Sequence, residues 1–447
     1  MMFNREELIE ITGAVPLKNS ADGIECFNIS TDTRTIKNRD IYLPLKGASF
    51  DGEMFIDKAL DAGATAYFTT KDEVLESADF VLKVENTLDA YLNIAKYYRH
   101  KINPVTIAIT GSSGKTTTKE IIYSVLKEKF KTHKTFSNHN NEIGFCQTVL
   151  GMDKDTQVLI VEMGMRGSGE IELISTHLEP DFAIITNCGS AHVGRLGSLD
   201  NIAKAKCEIT TGLKANGTFI ALEQDITKKH NSFTGEKIYY SINDVEILEK
   251  APSYSKFKYK NEVYELNVEG NYNIENSLSA IEVGLKLGMT PDEIKKGLIN
   301  YRPIEKRWEV ENINGLKFIN DSYNANPESM KASVQTFVEL YQNPVVILGN
   351  MGELGENEVL YHKNVGEYLA NLNIKNVKYL TVGNLAGEIG KILELHGFFV
   401  KNFNSNEEVS CYILEKLNNS YTIFLKASRS MKFEQILDNV KRGICKL

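Results

Sequence analysis

The chain has 447 residues, which at the usual ~150 residues per domain suggests about three domains. Hydrophobic residues at 42% and charged residues at 25% are ordinary globular usage, which excludes a wholly disordered or collagen-like chain. A net charge of −8 without any basic stripe argues against a nucleic-acid partner, and the longest apolar runs, such as Val105–Ile109 and Val158–Val161, fall far short of the roughly 18 residues that span a bilayer.

Taken in chain order, the start MMFNREELIE is polar and acidic and carries no secretory apolar core. The expectation is a cytoplasmic protein with no membrane insertion. A boundary near Asn103–Pro104 closes a first, small α/β domain over residues 1–103. The run VTIAITG (105–111) then reads as a buried strand, followed by ITGSSGKTTTKE (109–120) and the helical stretch EIIYSVLKEKF.

That strand–loop–helix unit is the strongest signal in the chain. Gly111, Ser112, Ser113 and Gly114 form a turn whose N–H groups can point at phosphate oxygens. Lys115, Thr116 and Thr117 open a helix whose N-terminus adds about half a positive charge. Lys115 suits the β- and γ-phosphates, and the Thr116 hydroxyl suits Mg²⁺. The general pattern asks for Gly where Ile109 stands, so the loop is a shortened variant. On its own, such a loop fits kinases, GTPases and ligases alike.

The next strands are QVLIVEMG (157–164) and FAIITNCG (182–189). Glu162 closes the first, and His192 follows the second in a loop. Ligands in open α/β sheets bind beyond the carboxyl ends of strands, so this pair is a candidate Mg²⁺ site, although His192 alone is also an ordinary loop histidine. In the helix NIAKAKCEIT (201–210), Lys204 and Glu208 are four apart and can pair on the surface. Lys206 points elsewhere and, from spacing alone, is a surface lysine.

Residues 230–265, with KIYYSIND and FKYKNEVYEL, read as antiparallel hairpin material. Gly288 stops the helix ENSLSAIEVGLKL, and TPDE (290–293) has an N-cap Thr, a first-turn Pro and a capping-box Glu. The central domain, 104–304, is thus a P-loop mononucleotide-binding domain built on a parallel sheet. From 305 to 447 the strands LKFINDS, PVVILGN, VKYLTVGN and TIFLKASRS alternate with helices, which predicts a C-terminal Rossmann-like α/β domain. None of the six cysteines forms a C-x-x-C pair, and buried or free thiols are the expectation.

Over nearly its whole length the chain resembles the ATP-dependent Mur ligases. The resemblance lies in TGSSGKTTTKE (110–120), NHNNEIG (138–144), VEMGMRGSGEI (161–171), TNCGSAHVGRLGS (186–198), AKAKCEI (203–209), GNYNIENSLSAI (270–281), KRWE (306–309), NDSYNANPESM (320–330), GNMGELGE (349–356) and LKASRSM (425–431). The DTR segment (32–34) and NDSYNANP resemble the branch that adds D-alanyl-D-alanine to UDP-N-acetylmuramoyl-tripeptide.

The resemblance implies ATP and Mg²⁺ as cofactors, those two small-molecule substrates as partners, and a monomer. By it, Lys115 and Thr116 hold phosphates and metal, Glu162 and His192 are magnesium ligands, and Lys206 is a carbamylated lysine. Asn276 contacts the adenine end, and Arg307 and Asp321 the ribose or phosphates. Asp32, Thr33, Arg34 and Lys46 fall where the UDP-sugar binds in the first domain, and Asn140 and Asn141 near the substrate and metals. Tyr323, Asn324, Asn326 and Arg429 face the dipeptide bound to the C-terminal domain.

Simpler readings stand beside these. Asn326-Pro327 is a good helix start in its own right, Asn276 can sit at the start of its helix, and Arg307 can stack on its neighbour Trp308. Asn350 replaces the family's frequent Asp, and Ala427 its frequent Gly. A folylpolyglutamate synthase-like or other amide ligase is the alternative enzyme, and a non-catalytic nucleotide-binding protein the alternative class.

Overall fold

Three six-stranded sheets and one three-stranded sheet organise the computed structural model, which describes residues 3–20, 23–47, 50–304 and 306–444. The first sheet runs Phe3–Asn4, Cys26–Ser30, Asp40–Tyr42, Ala66–Thr69, Phe80–Lys83, Val15–Asn19, parallel inside and antiparallel at both edges. Helix Thr87–Ile102 follows, capped by the Asn86 side chain at its start. Near its end the buried Arg99 donates to the Leu178 carbonyl at 2.7 Å and pairs with Glu179, which Lys96 and His100 also contact. This ties the first domain to the second.

The second sheet is entirely parallel, in the order Glu236–Tyr240, Thr218–Leu222, Phe182–Ile185, Val105–Thr110, Val158–Glu162, Thr132–Lys134. Its middle strand is buried on both faces because its residues are apolar on both. Ile107 and Ile109 pack with Ile121, Ile122 and Leu278, while Ala108 joins the core that holds Phe145 and Val161. Each isoleucine, leucine, valine or phenylalanine side chain so removed from water contributes about 1.5–3 kcal/mol. Val105–Thr110, Val158–Glu162 and Phe182–Ile185 end side by side, so the phosphate-loop candidate, Glu162 and the loop leading to His192 leave the same sheet edge.

The hairpin reading of residues 230–265 holds only in part. Tyr254–Tyr259 and Glu262–Leu266 form an antiparallel hairpin with Glu246–Ala251 at its side. Glu236–Tyr240 instead lies parallel to Thr218–Leu222 at the edge of the second sheet. Ile238 and Tyr240 pack on one face of the sheet and Tyr239 on the other, and a short β-branched and aromatic run of this kind reads the same for a hairpin strand and a parallel edge strand. Thr290 and Glu293 close a reciprocal capping box with Pro291 in the first turn, as the sequence indicates.

The third sheet runs Glu309–Ile313, Leu316–Asn320, Thr422–Lys426, Pro344–Gly349, Lys378–Val382, Phe399–Phe403, antiparallel only at its first pair. Asn350 lies just beyond one of these strands, where its side-chain oxygen accepts from the Ala386 N–H at the start of helix Asn384–Leu395. The side chain therefore has a structural use there, one that a carboxylate oxygen would serve equally. Cys26, Cys146, Cys188 and Cys207 are free thiols, the last three buried; Cys411, against expectation, is disulfide-bonded, and Cys445 lies outside the described residues. Among the described residues no helix is long and apolar enough to cross a membrane.

Candidate active site

Gly114, at φ +80, turns the chain into helix Lys115–Leu126. A side chain there would be strained, and a Cβ would come within 2.7 Å of Asn276 Oδ1. The neighbouring loop braces the turn. Asn187 accepts from the Ser112 and Ser113 N–H groups at 3.0 Å each, Thr186 donates to the Ser113 carbonyl at 2.6 Å, and Ser112 donates to the Gly189 carbonyl at 2.9 Å. Lys115 folds back on this turn and donates to the Gly111 carbonyl at 2.7 Å. Burial lowers its amine below the usual lysine range, opposed by the Glu162 charge.

Glu162 is 2% exposed. One oxygen accepts from the Asn140 amide at 3.1 Å; the other is buried without a hydrogen bond and lies 3.5 Å from the Lys119 ammonium. An unsatisfied carboxylate oxygen of this kind fits a divalent cation. His192, at φ +67, places Nδ1 2.6 Å from a Glu353 oxygen of the third domain. That contact holds the Glu353 carboxyl below its usual range.

Among the described residues no group of three or more His, Cys, Asp or Glu gathers into a protein-only cage. Mg²⁺ on phosphates takes one or two carboxylates, with waters and phosphate oxygens completing its shell. The donor set fits that mode of binding.

Lys206 is not a surface lysine. It is 1% exposed, and desolvation together with the Lys115 charge pushes its amine down to about 7. The expected Lys204–Glu208 pair does not form either, because Glu208 accepts from the Gly169 N–H at 2.9 and 3.0 Å while Lys204 stays exposed. Both readings treated the helix as a surface element, and tertiary packing decided otherwise.

The third domain closes the other side. Asn326 caps helix Pro327–Leu340 through Oδ1 and also donates from Nδ2 to the Ser112 carbonyl at 3.3 Å, so the cap and the loop contact coexist in one side chain. Asn326→Ala removes both, and we expect a loss of about 1–2 kcal/mol by urea denaturation, the upper range for a lost cap. Glu328 accepts from Ser190 N–H and Oγ–H at 3.1 and 2.9 Å. Gly194 and Gly355 approach so closely that a Cβ on the first would stand 2.5 Å from the backbone of the second.

Arg307 does not stack on Trp308 but lies 4.0 Å over the Tyr323 ring. Trp308 packs instead between Tyr272 and Phe424, at ring distances of 6.1 and 5.3 Å. Asn276 sits in the second turn of helix Asn271–Lys286, past its start, and Asp321 pairs with the buried Lys426.

These elements enclose a cavity of about 1050 Å³. Of the sequence-predicted residues, Ser112, Ser113, Gly114, Lys115, Thr116, Thr117, Asn140, Asn141, Glu162, His192, Asn276, Arg307, Asp321, Tyr323, Asn324 and Asn326 line it. Gly111 and Lys206 are not part of that lining. Four others are elsewhere on the first domain: Asp32 and Arg34 pair with each other at 2.6 Å, which holds the Asp32 carboxyl down to about 2, Thr33 lies between them, and the Lys46 main chain pairs with that of Asp51 as an isolated antiparallel bridge. Arg429 is exposed, 3.4 Å from Glu434, and outside the lining. Sequence reasoning missed Glu353, Glu328, Lys426 and Lys119. The last had a usable signal, since it lies four residues after Lys115 and so on the same helical face.

Family models described as Mur ligase middle domain, Mur ligase glutamate ligase domain and Mur ligase family catalytic domain match residues 109–284, 306–429 and 26–101. The UDP-N-acetylmuramoyl-tripeptide--D-alanyl-D-alanine ligase of Bacillus subtilis is 34% identical, with 92% of each chain covered. A crystal structure of MurF from Acinetobacter baumannii superposes with a TM-score of 0.88 at 28% identity, covering 99% of each chain. The MurF ligase of Thermotoga maritima in complex with ADP superposes at 0.83, with 24% identity over 93% of this chain and 97% of that one.

Proposed function

Because this chain belongs to the Mur ligase family, we propose that it is the ATP-dependent ligase joining D-alanyl-D-alanine to UDP-N-acetylmuramoyl-tripeptide, a step in peptidoglycan precursor synthesis. The observation that carries this reading is the single cavity in which the phosphate loop, Glu162 and the segment Asp321–Asn326 face one another. The proposed division of labour gives residues 1–103 the UDP-sugar, with Asp32, Thr33, Arg34 and Lys46. Residues 104–304 take ATP, and residues 305–447 the dipeptide, with Tyr323, Asn324, Asn326 and Arg429. A monomer is the proposed working unit.

A carboxylate is a poor acylating agent, so the tripeptide carboxylate first attacks the γ-phosphorus of ATP, giving an acyl phosphate and ADP. The dipeptide amine then adds to that carbonyl, and phosphate leaves as the amide forms. Two anions must be brought together, and the chain's contribution is alignment and neutralisation. Lys115 and the N–H groups at the start of its helix face the phosphates. Thr116, Glu162 and His192 would hold Mg²⁺, which supplies further positive charge at the phosphates. Asn276 would contact the adenine end, and Arg307 and Asp321 the ribose or phosphates.

Lys206 has an amine pushed down to about 7, so its neutral form is available to add to CO₂ with release of a proton, leaving a carbamate anion near the Lys115 charge. Release of phosphate from ATP with UDP-muramoyl-tripeptide is expected on adding D-alanyl-D-alanine and not on adding glutamate. Stimulation by glutamate would favour the folylpolyglutamate synthase-like alternative, and no ADP with any acceptor would favour a non-catalytic role.

A further inference from the structure

Lys119 is fully buried one helical turn beyond Lys115, and its ammonium makes no hydrogen bond. It stands 3.4 Å from Glu120 Oε1 and 3.5 Å from Glu162 Oε2. The second oxygen of Glu120 is held by Lys134, whose ammonium also lies 4.1 Å over the Tyr123 ring. Two ammoniums and two carboxylates thus balance in charge beneath the cavity.

A buried ammonium at ion-pair distance from two carboxylates, yet hydrogen-bonded to neither, is a poor stabilising device. An apolar side chain of similar shape would avoid its desolvation penalty. What the ammonium does provide is charge beside Glu162, the one member of the set that lines the cavity. Glu120 offers it a second seat at equal distance.

We propose that Lys119 is a resident counter-cation shared by Glu120 and Glu162, a positioning residue that sets how strongly Glu162 takes a divalent cation. It stands in for the missing positive charge while no cation is bound, and its attraction to Glu120 keeps it from competing fully when one arrives. The proposal rests on the reading of Glu162 as a metal-binding carboxylate.

The two charged neighbours therefore act with opposite signs. Mn²⁺ titrated into the full-length protein saturated with ADP, against an ADP-only blank and with no acceptor present, followed by loss of the free-ion electron paramagnetic resonance signal, measures the site without turnover. Lys119→Met is expected to tighten Mn²⁺ binding by roughly fivefold or more, the factor one unit charge at about 4 Å supplies even in a watery dielectric. Glu120→Gln is expected to weaken it, because the ammonium is then left to Glu162 alone, and Lys119→Arg to stay near the parent value. Equal Mn²⁺ binding in all of these proteins, or weaker binding in Lys119→Met, overturns the proposal.

Glu162→Gln separates the two readings. If it loses the Mn²⁺ site while the Lys119 and Glu120 variants match the parent, only the counter-cation role falls. If it binds Mn²⁺ as the parent does, the metal reading of Glu162 falls and the proposal with it. Should Lys119→Met not fold, Glu120→Gln decides alone, and unchanged or tighter binding there overturns the proposal.

Discussion

Lys115→Ala is expected to lower the D-alanyl-D-alanine-dependent release of phosphate by roughly 10²–10³-fold, the ~2.7–4 kcal/mol associated with a lost charge-stabilising donor. The amine is the cation nearest the phosphate turn, and its contact with the Gly111 carbonyl shows that the side chain reaches the mouth of that turn. Folding should survive the change. A buried ammonium whose surroundings lower its affinity for a proton contributes little to stability. The decisive comparison is therefore activity against denaturant midpoint in the same preparation. Near-parent ligation in a folded Lys115→Ala protein would remove the phosphate-loop assignment.

Lys206→Ala is expected to lose activity and to regain part of it when a short carboxylic acid such as acetate is added, because the acid restores an anion where the carbamate would stand. Full activity without the acid would return Lys206 to a packing role. The pH dependence of stability gives a second readout. The folded-state value near 7 lies below the ordinary lysine value of 10.5, so between those limits the unfolded chain binds the proton that the folded chain has released. Stability then rises with pH across that window, and the burial penalty is complete only below about 7. Relative to the parent, Lys206→Met should be most favoured below pH 7 and lose that advantage as the pH approaches about 10.5, as urea titrations at several pH values would read out.

The seven β-rich runs picked out from apolar continuity all lie on strands of the second and third sheets, because strands covered on both faces carry an unbroken signal. The first sheet was much less legible. Its strand Val15–Asn19 has no buried residue and Cys26–Ser30 only one, Phe27, and several of its elements are only two to five residues long. Within the site, the phosphate turn and Glu162 could be placed because they follow strands directly. The depth at which Lys206 lies could not, since a lysine two residues from a surface lysine looks the same in sequence whether its helix lies on the protein or under a loop. Glu328 and Glu353 were missed for a related reason. Each meets its partner across a domain boundary, and no local pattern records which loop of another domain will arrive.

Trp308 is the chain's single tryptophan, and it sits 4% exposed with Tyr272 of the second domain on one side and Phe424 of the third on the other. Excited at the red edge of protein absorbance, the molecule therefore has one emitter, lodged in the seam between those two bodies. Its colour and quenching report how tightly that seam is packed, with no dye attached and no background from elsewhere in the chain.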